Sequence, residues 1–143
     1  MRIVLVDDDP QHVSTLKRLL EVALDADVAL VDSVEGAVQA LYEAPADVVV
    51  TDIFIPLGKD PRRVLGPRSR RYADGLRHLG GLVLLDELDR IDPRPKVLAH
   101  TACTDFELID VLGDTVDARV PKPAGAEVLL RAVIEVLGLP VPG

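Results

Sequence analysis

The stretch that decides the fold is Val48-Val49-Val50-Thr51-Asp52-Ile53-Phe54-Ile55-Pro56. A β-branched apolar run ends there on one carboxylate, and a proline closes the segment. Continuous Val/Ile runs are strands buried on both faces, the kind found in the middle of a parallel sheet. Ligands of open α/β sheets gather at the carboxyl ends of the strands, so this reading puts Asp52 where chemistry is usually done.

Working outward, Ile3-Val4-Leu5-Val6 is a similar run that stops at Asp7-Asp8-Asp9. Pro10 suits the first position of a helix with Asp9 as its cap, and Val13, Leu16, Leu20 and Ala23 follow at helical spacing. Another strand fits Val28-Ala29-Leu30-Val31, after which Ser33 caps a short helix carrying Ala37, Val38 and Leu41. Beyond the opening stretch, helical spacing resumes at Leu82 with Leu85, Leu88 and Ile91, and Asp92-Pro93-Arg94-Pro95 ends it. Lys96-Val97-Leu98-Ala99-His100 is a fourth strand running into Thr101. Thr104-Asp105-Phe106-Glu107 has capping-box spacing and opens a helix through Leu112. Asp117-Ala118-Arg119-Val120 is a weak fifth strand leading into Pro121-Lys122-Pro123, and a last helix spans about Ala126 to Leu137, stopped by Gly138. Strands alternating with helices specify an α/β fold, a parallel sheet covered on both faces by five helices.

Between Pro56 and Gly81 the pattern breaks. Residues 57–80 carry Gly58, Pro61, Gly66, Pro67, Gly75 and Gly80, all turn formers. They also hold seven basic residues (Lys59, Arg62, Arg63, Arg68, Arg70, Arg71, Arg77) against Asp60 and Asp74, a net +5 that leaves −13 for the rest of a chain whose total is −8. The segment reads as a basic insertion within a single domain spanning residues 1–143; the plain reading is a solvated, mobile loop, and the sharper one a docking element for an acidic partner surface or a polyanion.

Composition narrows the function. A hydrophobic content of 48% against 28% charge marks a folded chain, and the net charge of −8 argues against nucleic acid or an anionic membrane as the main partner. Cys103 is the single cysteine, so no disulfide forms within the chain; with no apolar run long enough to span a bilayer, a cytoplasmic protein is expected. His12, His78 and His100 lack partners at metal-ligand spacing and read as structural.

Four strand ends carry complementary polar residues: Asp7 and Asp8 on the first, Asp52 on the third, Thr101 on the fourth, Lys122 on the fifth. Carboxylates converging there form a hard oxygen site suited to Mg²⁺, which takes few protein ligands and keeps water and phosphate. A carboxylate can attack phosphorus to give an aspartyl phosphate, with an ammonium and a hydroxyl to steady the phosphoryl oxygens.

The residues Val4-Leu5-Val6-Asp7-Asp8-Asp9-Pro10, Val50-Thr51-Asp52-Ile53-Phe54-Ile55-Pro56, His100-Thr101-Ala102 and Lys122-Pro123 resemble, in order, the motifs of the receiver domains of two-component response regulators, the CheY-like family. The resemblance covers nearly the whole chain outside the insertion. It implies a flavodoxin-like sheet of order 2-1-3-4-5 and a receiver that accepts a phosphoryl group on Asp52; with no output domain after residue 143, a stand-alone receiver is expected. The donor would be a sensor histidine kinase or a histidine phosphotransfer protein, and output would pass through protein contacts. It also implies that Asp8, Asp52 and the Phe54 carbonyl bind Mg²⁺ directly, that Asp7 acts on the metal through water, that Thr101 and Lys122 meet the phosphoryl group, and that the Lys122–Pro123 bond is cis. Such a chain catalyses only its own phosphorylation and dephosphorylation. Arg119 departs from the family, standing where an aromatic switch residue is usual, and so does Pro121 before Lys122. Gly81-Leu82 matches the start of the third helix, with Asp74-Gly75-Leu76 as a competing register.

Two alternatives belong to other classes. An unphosphorylated scaffold would need none of the acidic set. A haloacid-dehalogenase-like phosphatase would use Asp7-x-Asp9 and Gly113-Asp114-Thr115-Val116-Asp117, but its lysine should precede that second motif, whereas Lys122 follows it. The last helix confines its charge to Glu127, Arg131 and Glu135, leaving Leu130 and Ile134 spare; with Phe106, Ile109 and Leu112 they suggest a homodimer or partner surface.

Overall fold

Five parallel strands form one sheet in the computed structural model, which describes residues 1–56, 80–102 and 116–139. In chain order the elements are β1 (Arg2–Val6), α1 (Pro10–Leu24), β2 (Asp27–Val31), α2 (Val34–Glu43), β3 (Val48–Thr51), α3 (Gly80–Leu88), β4 (Lys96–Thr101), β5 (Ala118–Pro121) and α4 (Ala126–Leu137). The strand order is β2-β1-β3-β4-β5, as the resemblance implies. The expected helix over 104–112 lies outside the described residues, as do Cys103, His78, Gly113-Asp114-Thr115 and the insertion apart from Gly80.

Strand alternation sorts the core into two layers. Val4, Val6, Val49 and Val97 face α2 and α3, packing with Val34, Ala37, Leu41, Leu82, Leu85 and Leu88. Ile3, Leu5, Val48, Val50 and Leu98 face α1 and α4, packing with Val13, Leu16, Leu20, Leu129 and Val133. The central strands β1 and β3 are thus apolar on both sides, which is why they read as unbroken Val/Ile/Leu runs. Every residue of α3 is buried, Asp86 and Glu87 included.

The helix ends follow local chemistry. Ser33 caps α2 by accepting from the Gly36 amide at 3.1 Å, and Gly138 ends α4 in the left-handed region at φ 70°. Three expectations need correction. Asp9 stands at the start of α1 without a side-chain capping bond; its own amide instead donates to Asp7 Oδ1 at 2.9 Å, so the loop is tied to the strand end. Ile91 falls after α3, which ends at Leu88. Ile134 is only 2% exposed and Leu130 half-buried, so the large apolar residue left exposed on α4 is Val128.

Candidate functional site

Because the strands are parallel, their carboxyl ends share one edge of the sheet, and the backbone ladder runs one residue past them. The Asp7 amide donates to the Val31 carbonyl at 3.0 Å, the Asp52 amide to Val6 at 3.3 Å, and the Lys122 amide to Thr101 at 3.0 Å. Pro121 sits opposite Thr101 in the register, and the Thr101 carbonyl accepts from the next amide, Lys122, just as the Val31 carbonyl opposite Val6 accepts from Asp7, so the N–H that Pro121 lacks is not one this ladder uses. The Lys122–Pro123 bond that follows is cis.

Lys122 joins two of the expected carboxylates. Its Nζ lies 3.0 Å from Asp7 Oδ2 and 2.9 Å from Asp52 Oδ2. The side chains of Asp7 and Asp52 are 4% and 7% exposed and that of Lys122 18%. Burial pulls the ammonium pKa down, but hydrogen bonds to Asp52 and Asp7, with their charges, outweigh it and hold the pKa above the ordinary lysine value. Each carboxylate spends its second oxygen on its own loop: Asp7 Oδ1 accepts from the Asp9 amide, and Asp52 Oδ1 from the Phe54 amide at 3.1 Å.

The loop after Asp52 is held carbonyl by carbonyl. Thr51 Oγ1 donates to the Asp52 carbonyl at 2.9 Å. The Ile53 carbonyl accepts from Ile55 at 3.0 Å and Gly81 at 2.9 Å, that of Ile55 from Gly80 at 3.0 Å, and that of Pro56 from Val34 at 3.0 Å. Among the described residues, the Phe54 carbonyl is the one in this stretch that accepts no hydrogen bond.

These groups fit a divalent cation of the Mg²⁺ kind. The donors are hard oxygens, an ammonium already lies between two of them, and no described residue donates to the Phe54 carbonyl. Asp8 follows Asp7 and is exposed. Among the described residues no three acidic, histidine or cysteine groups converge closely enough to hold a metal alone, so such an ion would need ligands from water or a substrate as well. Thr101 is buried at the end of β4, 2% exposed. Arg119 is exposed on β5. A cavity of about 350 Å³ lined by Asp7, Leu30, Val31, Asp32 and Gly36 opens on the Asp7 side of the pair.

Sequence reading identified Asp7, Asp52 and Lys122, which the fold brings together, and missed the supports beneath them. Thr51 had a signal, a hydroxyl directly before the carboxylate. Gly80-Gly81 had another, two adjacent glycines opening an apolar helix. Asp32, at the cavity rim, had only its place after β2.

No family model matches the chain, and no curated protein matches it. Solved structures do. The non-phosphorylated HemR receiver domain from Leptospira biflexa superposes with a TM-score of 0.73 at 22% identity, over 99% of this chain and 98% of that one. A CheY-like response regulator receiver domain protein from Methanospirillum hungatei gives 0.72 at 21% identity, covering 96% and 93%. A two-component response regulator from Clostridium difficile gives 0.70 at 19% identity, covering 96% of each. The fold is that of a receiver domain over nearly the whole chain.

Proposed function

We propose that this chain is a phosphorylation-switched receiver of two-component signalling, acting in the cytoplasm and accepting a phosphoryl group on Asp52 from a histidine kinase or a histidine phosphotransfer protein. One observation carries the reading. Lys122 Nζ bridges Asp7 and Asp52 at 3.0 and 2.9 Å, at the strand ends of a fold shared with receivers.

The chemistry follows from what each residue can do. Asp52 is nearly buried, and its Oδ2 already faces a cation. An oxygen of Asp52 attacks phosphorus of the phosphohistidine, the P–N bond breaks, and the imidazole nitrogen keeps the electron pair. Asp8, Asp52 and the Phe54 carbonyl would hold Mg²⁺, with Asp7 acting through water; the ion supplies charge neutralisation at the phosphoryl oxygens. Lys122 stays charged at neutral pH and pairs with the new phosphoryl group in place of the lost carboxylate charge. Thr101, at the end of β4, offers a hydroxyl to a phosphoryl oxygen, and its displacement passes the change to the protein surface. The chain catalyses only its own phosphorylation and dephosphorylation. The basic insertion at 57–80, within the single domain, begins right after the Asp52 loop and is suited to an acidic surface of a partner.

Which aspartate is modified tests this reading against the phosphatase alternative. After incubation with acetyl phosphate and Mg²⁺, reductive trapping and peptide mapping should find the modification on Asp52. Modification of Asp7 would support a haloacid-dehalogenase-like enzyme and overturn the receiver reading.

A further inference from the structure

Two glycines outside the set of charged residues are built against the Asp52 loop. A Cβ on Gly81 would lie 2.5 Å from Ile53 Cα and 2.7 Å from the Asp52 carbonyl oxygen, and one on Gly80 would collide with the Ile55 carbonyl. These obstacles are backbone, which has no rotamer to yield. Without side chains, the first turn of α3 lies directly on the loop, and its amides take the carbonyls on either side of Phe54: Gly81 N to Ile53 at 2.9 Å, Gly80 N to Ile55 at 3.0 Å. The first amides of a helix have no partner within it, so they are available for this. The Asp52 carbonyl, also packed against Gly81, is held by Thr51.

We propose that Gly80 and Gly81 are positioning residues of the cation site, fixing the Ile53 and Ile55 peptides so that the Phe54 carbonyl alone is left to meet the metal. This rests on the receiver reading, in which that carbonyl is a ligand. The glycines touch neither metal nor phosphate; they act through the loop. The same bonds tie cation binding to the start of α3 and hence to the end of the basic insertion.

The test uses the full chain and Mg²⁺ alone, with affinity measured by calorimetric titration. Gly81→Ala should weaken Mg²⁺ binding by about tenfold, the size typical of groups that support a ligand without contacting the ion. Gly138→Ala, at a positive-φ helix end remote from the site, should lower stability and leave the affinity unchanged, so general destabilisation is controlled. Amide exchange supplies a readout without mutation: in the wild type, Mg²⁺ should slow exchange of the Gly80 and Gly81 amides, because coupling between sites is reciprocal. If Gly81→Ala does not fold, that exchange decides. Wild-type binding with equal affinity in Gly81→Ala, or with Gly80 and Gly81 exchange unmoved, overturns the inference. A wild type that binds no Mg²⁺ overturns the receiver reading beneath it.

Discussion

Replacing Lys122 with methionine removes the ammonium between two buried carboxylates while keeping a long, unbranched side chain. Each contact is short, 3.0 and 2.9 Å, and at an effective dielectric of about 20 each is worth roughly 5–6 kcal/mol in gross attraction. Desolvation of three charges offsets much of this, so the gross figure is not the net one. Breaking a buried ion pair by removing one partner costs about 3–5 kcal/mol, because the other charge is left buried and alone. Lys122 is 18% exposed, so water can enter when it is gone and the lower end applies, about 3 kcal/mol. For a chain of this length that lowers Tm by roughly 10 °C. The assay is thermal unfolding at neutral pH with a chelator present, so that no divalent ion substitutes for the ammonium. The same substitution in an Asp52→Asn background should cost about 1–2 kcal/mol less, since one of the two contacts is already neutral. A shift below about 2 °C, or an equal cost in both backgrounds, refutes the claim that Lys122 neutralises this pair.

Other expectations are more local. The raised Lys122 pKa means its stabilisation is complete below the ordinary value of 10.5 and is lost as pH rises through the folded-state value; the stability gap between wild type and Lys122→Met should therefore shrink in strongly alkaline buffer, and a constant gap in denaturant titrations would contradict this. Ser33→Ala should cost about 1 kcal/mol by removing the cap on the Gly36 amide, readable as a Tm lower by roughly 3–4 °C; an unchanged Tm would mean the bond contributes nothing. Self-association through α4 would rest on Val128 and half-buried Leu130 instead of Leu130 and Ile134, and sedimentation should show a dimer that Val128→Glu dissociates. A monomer at high concentration, phosphorylated or not, removes that reading.

The fold was legible because its central strands carry a signal at every position. Val48, Val49 and Val50 are 0–3% exposed and Ile3, Val4 and Leu5 0–1%, a burial that only continuous apolar runs tolerate. The site was legible for the same reason: a parallel sheet delivers its strand ends to one edge, so Asp7, Asp52 and Lys122 could be grouped without knowing a distance. What could not be read was anything that depends on how elements meet. Ile134 looked spare because helical spacing gives a residue's angle, not what lies over it. Asp9 looked like a cap because its type and Pro10 suit one, yet its side chain makes no capping bond and its own amide is tied back to the Asp7 carboxylate. The Gly80-Gly81 contact with the Asp52 loop joins residues separated by the insertion, and a separation in sequence carries no trace of a backbone approach.

The most direct test of the central claim is intact mass after exposure to acetyl phosphate. Wild type with Mg²⁺ should gain one phosphoryl group, labile to hydroxylamine as an acyl phosphate is; the same protein with the metal chelated, and Asp52→Asn with metal, should gain none. A wild type that stays unmodified with Mg²⁺, or an Asp52→Asn protein that is modified as fully as wild type, would contradict the account.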